Sequence, residues 1–265
     1  MCLKAAAMLI KRIVKNFLPY GYICYRERRK FFRKYNVKSS LDKSKYKGFK
    51  PAGGFGNKLF PCVDYVLSGT KIKIKNIFEI GANFAQDADF LMECFGLSPK
   101  DVYVFEAHPE IFAAIKKIHS FNAFNYAVYN TEQEITFNVF PLDYRSTGWS
   151  SIHGEGGADS LAVKVKAVRM DKFMEQNNIG EIDFLKIDVE GCSYEVLEGF
   201  GSRLSDVNCI QIEAEHGRNN FPDNRVLYDE IEEMLKSNNF ELVEFHRNGK
   251  LTQSDSFWVQ SKCIK

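Results

Sequence analysis

Ionisable residues in this chain collect where short apolar runs end. In Phe78-Glu-Ile-Gly-Ala-Asn83 an apolar run closes on Glu79 and turns at Gly81 into a stretch with helical spacing. Gly81 can take a backbone conformation closed to other residues, and without a Cβ it lets a ligand approach closely. Glu79 and Asn83 can hydrogen-bond the amino and carboxylate ends of a methionine-like group, and the amides of a helix N-terminus favour that carboxylate. A second run, Val102-Tyr-Val-Phe-Glu106, also closes on a carboxylate, 27 residues after Glu79. An acidic group there accepts hydrogen bonds from a ribose diol.

The third run is Phe184-Leu-Lys-Ile-Asp-Val-Glu-Gly191. The two-residue period of a strand puts Lys186 and Asp188 on one side and Leu185 and Ile187 on the other. Lys186, Asp188 and Glu190 at the end of an apolar strand are costly unless they pair or act. A fourth run ends in Glu213-Ala-Glu-His216, adding carboxylates and an imidazole to the same edge. A phosphate-bearing dinucleotide prefers a G-x-G-x-x-G turn, whereas this chain has Gly81-Ala-Asn-Phe-Ala85. That ranks an adenosyl ligand without phosphates above NAD. Pro51-Ala-Gly-Gly-Phe-Gly56 reads as a loop and lacks the spacing of a triphosphate-binding loop.

These groups need a scaffold that brings strand ends together, and the chain alternates accordingly. Strands are expected at Asn76–Glu79, Asp101–Phe105, Phe124–Val128, Ile182–Ile187 and Val207–Glu213. Helices are expected at Ala85–Phe95, Glu110–His119, Ser193–Phe200 and Val226–Asn238. Such alternation predicts a doubly wound, Rossmann-like α/β fold with a mainly parallel sheet. Phe240–His246 and Ser256–Gln260, joined through Asn248-Gly249, predict an antiparallel C-terminal hairpin. Residues 130–168 interrupt the rhythm as an insertion or lid, with strand-like Glu134–Phe140 and Leu161–Val168 around a polar loop. In that loop Tyr144, Arg145, Trp149 and His153 are candidate walls for a polyol.

In order along residues 76–216 these segments resemble the FkbM family of S-adenosylmethionine-dependent methyltransferases. The resemblance rests on Phe78-Glu-Ile-Gly-Ala-Asn83, Phe105-Glu106, Asn125-Tyr-Ala-Val128, Met170-Asp-Lys-Phe173, Leu185-Lys-Ile-Asp-Val-Glu-Gly191 with Val196-Leu197 and Gly199, and Ile212-Glu213. It implies a class I methyltransferase fold and S-adenosyl-L-methionine as cofactor. Glu79, Gly81, Asn83 and Glu106 would contact that cofactor, with Asn125 and Ala127 near the adenine. It also implies O-methylation of a hydroxyl on a sugar, in a glycan or glycan precursor. The chain departs from the family at Ala85, where a second glycine is usual, at Ala107, where proline follows the ribose carboxylate, and at Ser193, where an acidic residue is common.

The implied reaction is a direct displacement, so aligning the reactants supplies much of the rate. The acceptor hydroxyl loses its proton to a nearby base. Asp188 is the first candidate for base or acceptor orienter, supported by Lys186, Glu190 and His216, and no metal ligand is assigned. Asp188, Glu190, Glu213, Glu215 and His216 are also hard donors, so a divalent-cation-assisted small-molecule O-methyltransferase is the second reading. An NAD-dependent oxidoreductase and a non-catalytic adapter rank lower.

The 265 residues suffice for one catalytic domain, taken as 51–265. A net charge of +2 conceals a split: residues 1–50 hold 15 basic and 2 acidic side chains, or +13, and the remaining 215 carry −11. In the N-terminal segment Leu9, Ile10, Ile13, Val14, Phe17 and Leu18 fall at helical spacing among basic residues. Lys4, Lys11, Arg12 and Lys15 keep this stretch from spanning a bilayer. It fits peripheral contact with an anionic membrane through residues 1–36, or packing on the acidic body or at a homo-oligomer interface. The acidic body, and the lack of an Asn-Pro-Pro-Tyr-like tetrapeptide, argue against nucleic acid as the acceptor. Seven cysteines without paired spacing fit a reducing, cytoplasmic setting.

Overall fold

The computed structural model describes residues 56–140, 150–153, 160–216, 226–247 and 252–265. The basic segment 1–50, the loop expected from Pro51, the wall candidates Tyr144, Arg145 and Trp149, and the Asn248-Gly249 turn lie outside them. The strands are β1 (Ile77–Ile80), β2 (Val102–Phe105), β3 (Asn122–Phe124), β4 (Ala127–Val128), β5 (Glu134–Val139), β6 (Leu161–Val168), β7 (Ile182–Ile187), β8 (Val207–Glu215), β9 (Phe240–Arg247) and β10 (Gln253–Gln260). The helices are α1 (Gly56–Gly69), α2 (Gln86–Phe95), α3 (Pro109–Ile118), α4 (Met170–Gln176), α5 (Ser193–Phe200) and α6 (Tyr228–Ser237).

Seven strands form one sheet in the order β3-β2-β1-β7-β8-β10-β9. All neighbours are parallel except β10, which runs antiparallel to both β8 and β9. This is the doubly wound Rossmann-like arrangement with its C-terminal hairpin. Every residue of β1 and β7 is buried, as expected of parallel strands covered on both faces. Alternate residues serve opposite cores. Ile77, Phe184 and Cys209 pack with Leu59 and Val63 of α1 and Phe90 and Leu91 of α2. Phe78, Leu185 and Ile210 pack with Phe173 of α4, Val196 and Leu197 of α5, and Ile231 and Leu235 of α6.

Winding reverses between β1 and β7, so the crevice beyond their carboxyl ends is the place where such sheets bind ligands. Glu79 and Asp188 lie at that reversal. Among the described residues no helix is long and apolar enough to cross a membrane.

The structure revises the third expected strand. Phe124–Val128 divides into β3, in the main sheet, and β4, in a small sheet ordered β4-β6-β5. Asn125 causes the break: its side-chain amide donates to the carbonyls of Glu106 at 2.8 Å and Ala107 at 3.0 Å. The described part of the 130–168 insertion supplies β5 and β6 of this small sheet, which run antiparallel.

Candidate active site

The β1–α2 turn is fixed from both sides. Gly81 donates its N–H to the Phe105 carbonyl at 3.0 Å, and Asp188 donates its N–H to the Ile80 carbonyl at 2.9 Å. Gly81 has φ +77°, and a Cβ there would lie 1.8 Å from the Asp188 carbonyl oxygen. Neither the conformation nor the space admits a side chain. Asn83 (φ 48°) and Ala85 (φ 54°) also take the left-handed conformation, which asparagine tolerates and which costs alanine about 1 kcal/mol or more. The position where the family usually has glycine is therefore one whose backbone suits glycine.

Glu79 is buried at the start of α2, where its Oε2 accepts the N–H of Ala88 at 3.0 Å. Lys186, 5% exposed, reaches three carboxylates: Asp188 at 3.1 Å, Asp87 at 3.3 Å and Glu79 at 3.4 Å. Burial pushes the Glu79 carboxyl up to about 8; the Lys186 charge opposes this and the Asp87 charge adds to it. Burial works against the Lys186 charge, but the surrounding carboxylates prevail and hold its pKa well above the ordinary value. Sequence reasoning missed Asp87. The available signal was an acidic side chain in the first turn of the helix that opens at the crevice.

Glu106 is buried, with Oε2 accepting the N–H of Asn83 and Oε1 that of His108, both at 2.7 Å. Burial raises its carboxyl to about 7 against these hydrogen bonds. His108 caps α3: its Nδ1 accepts the N–H of Glu110 at 3.3 Å, which leaves Nε2 to donate to the Phe140 carbonyl at 2.9 Å. It ties the start of α3 to Phe140, just beyond β5.

These elements enclose a cavity of about 350 Å³. Of the expected site residues, Glu79, Gly81, Asn83, Glu106, Ala127, Lys186, Asp188 and Glu190 line it, as do Asp87 and Glu213. Phe105, Ile111, Ala127 and Val128 supply apolar wall. Asn125 and His216 are not among the lining residues. Asn125 shapes the turn after β2 through the hydrogen bonds described above. His216 pairs its Nε2 with Ser254 Oγ at 2.6 Å and stacks on Tyr228 at 4.8 Å.

Asp188, Glu190 and Glu213 can each bring an oxygen within 4.8 Å of the others, a set of hard donors suited to a divalent cation. Glu215 is buried and lies outside that group. Ser193 replaces the family's acidic side chain with a structural contact, its Oγ donating to the Glu213 carbonyl at 2.6 Å. From the insertion, His153 places Nε2 3.1 Å from the Gly191 carbonyl and 3.3 Å from Cys192 Sγ, against the turn that follows β7.

Residues 79–242 match the family described as Methyltransferase FkbM domain. A curated relative, the hexuronic acid methyltransferase AglP of Haloferax volcanii, is 24% identical over 147 residues. That match takes in 53% of this chain and 56% of the relative, so the chain spans about half the length of the protein it resembles. Among solved structures, a methyltransferase FkbM from Methylobacillus flagellatus overlaps 70% of this chain and 44% of its own, at 12% identity and a TM-score of 0.45. The magnesium protoporphyrin IX methyltransferase ChlM of Synechocystis, solved with bound SAM, overlaps 92% of this chain and 98% of its own, at 10% identity and a TM-score of 0.42.

Proposed function

The chain belongs to the FkbM methyltransferase domain family, and from that membership we propose an S-adenosyl-L-methionine-dependent O-methyltransferase acting on a hydroxyl of a sugar, in a glycan or glycan precursor. One observation carries the reading: the Gly81 turn, the buried carboxylates Glu79 and Glu106, and the Lys186–Asp188 pair all converge on one cavity at the reversal of the sheet. The sugar acceptor is supported by the name of the curated relative, a hexuronic acid methyltransferase.

The donor set suits the cofactor. A carboxylate offers about four acceptor sites, and the Asn83 and His108 amides occupy two of those on Glu106. The others can take ribose hydroxyls. The side-chain-free Gly81 lets the methionine portion approach the backbone, and Phe105, Ile111, Ala127 and Val128 give an apolar slot for the adenine. When bound, the cofactor supplies an electrophilic methyl group on a sulfonium. The chain's own task is to place the acceptor oxygen and remove its proton. Asp188, half-buried at the cavity wall, accepts that proton or orients the hydroxyl.

The test is incubation of the protein with isotope-labelled S-adenosylmethionine and a panel of hexuronic, neutral and amino sugars, free and nucleotide-linked, read by mass. A gain of one labelled methyl on a sugar oxygen supports the reading, and no transfer to any member contradicts it. A second reading rests on the Asp188, Glu190 and Glu213 oxygens. In it a divalent cation held there orients the acceptor oxygen, as in cation-assisted small-molecule O-methylation. Activity unchanged by exhaustive chelation rules that out.

A further inference from the structure

Among the described residues that line the cavity, Lys186 is the one cation. Its ammonium carries three N–H donors, and three carboxylates from separate parts of the fold surround it: Glu79 of β1, Asp87 of α2, and Asp188 just beyond β7. All three are ion pairs of 3.1–3.4 Å, and the one to Asp188 is also a hydrogen bond. A charged ammonium has no lone pair with which to take a proton from an acceptor hydroxyl. Lys186 is therefore poorly suited to direct chemistry, and its surroundings suit another task.

We propose that Lys186 is a positioning residue: its ammonium ties the cofactor-side carboxylates Glu79 and Asp87 to the acceptor-side Asp188, so one cation fixes the orientation of all three. The inference rests on the proposed methyltransferase reading. With Lys186 charged, three carboxylates around one ammonium leave the cluster negative, which suits a sulfonium-bearing cofactor. Glu106, after β2, also feels the Asp188 charge, so the acidic groups facing the cluster are Glu79, Asp87, Asp188 and Glu106. A plain ion pair at a sheet edge needs one carboxylate. The arrangement of three, drawn from β1, α2 and the β7 turn, makes the geometry of each depend on the same atom.

Two variants with opposite expected signs test this on the full chain, with S-adenosylmethionine binding followed by titration calorimetry from pH 6 to 9. Affinity of the unaltered chain rises with pH as the buried carboxylates ionise. Lys186→Met removes the shared cation. Its affinity falls at least tenfold at pH 7, and the rise moves to higher pH by a unit or more. Asp87→Asn removes a competing negative charge and keeps Lys186 on Glu79 and Asp188, so the rise moves to lower pH. Should Lys186→Met fail to fold in a melting experiment, Asp87→Asn still gives a signed result. A rise that moves in neither variant, or in the same direction in both, overturns the positioning role. An unaltered chain that does not bind S-adenosylmethionine overturns the methyltransferase reading itself, and this inference with it.

Discussion

Substituting Gly81 by alanine tests the geometry of the site at its tightest point. The added Cβ would lie 1.8 Å from the Asp188 carbonyl oxygen, 2.7 Å from its carbon and 3.1 Å from Val189 Cγ1. The two nearest atoms are backbone, so no rotamer change relieves the clash. The β1 and β7 ends must move apart by more than 1 Å, a rough figure from ordinary carbon–oxygen contact distances. That displacement breaks the hydrogen bond from Asp188 N–H to the Ile80 carbonyl, worth about 1 kcal/mol. Holding alanine at φ +77° adds roughly 1–2 kcal/mol. Together these give a destabilisation of about 2–3 kcal/mol, before any residual strain. Urea unfolding of the two proteins measures it, and calorimetry with S-adenosylmethionine should show binding weakened at least tenfold. A Gly81→Ala protein within about 0.5 kcal/mol of the parent, with unaltered cofactor affinity, would refute the close approach of the two strand ends.

Asp188→Asn should leave cofactor affinity largely intact and cut turnover at least tenfold, measured with labelled S-adenosylmethionine and a saturating sugar acceptor; equal turnover removes Asp188 from the chemistry. Glu106 makes a signed prediction about pH. Its carboxyl is raised from 4.5 in the unfolded chain to about 7 in the fold, so the folded state holds the proton more tightly. Its contribution to stability is full below pH 4.5 and lost as pH rises through 7, by about 3 kcal/mol. Melts between pH 5 and 7.5 should show a smaller decline in Glu106→Gln than in the parent, and equal declines would contradict this. The +13 charge of residues 1–50 predicts salt-sensitive co-sedimentation with anionic vesicles, lost on deleting residues 1–36. Equal recovery of both proteins in the supernatant would favour packing of that segment on protein.

Elements built from strong apolar periodicity were legible in the sequence. β7, β6 and α5 have the expected bounds at Ile182–Ile187, Leu161–Val168 and Ser193–Phe200. Apolar pattern alone does not reveal the backbone break within the strand expected at Phe124–Val128. Here the break is made by Asn125 bonding to carbonyls across the sheet. Helix α1, with Pro61 inside it, lay hidden because proline usually marks a helix boundary. At the site, strand period placed Lys186 beside Asp188, and the structure puts them 3.1 Å apart. The same reasoning could not show that Asp87, from another element, shares that ammonium. Nor could it show that His216, two residues beyond Ala214 at the sheet edge, turns to Ser254 and Tyr228.

On the proposed reading this cavity holds S-adenosylmethionine through Glu106 and the Gly81 turn. Calorimetric titration of the full chain with S-adenosylmethionine and, separately, with NAD addresses it most directly, alongside a Glu106→Ala variant checked for folding by its melt. The expected result is one-to-one binding of S-adenosylmethionine, no binding of NAD, and affinity reduced at least tenfold in the folded variant. Binding of NAD in preference, or S-adenosylmethionine affinity untouched by the loss of the Glu106 carboxylate, would contradict it.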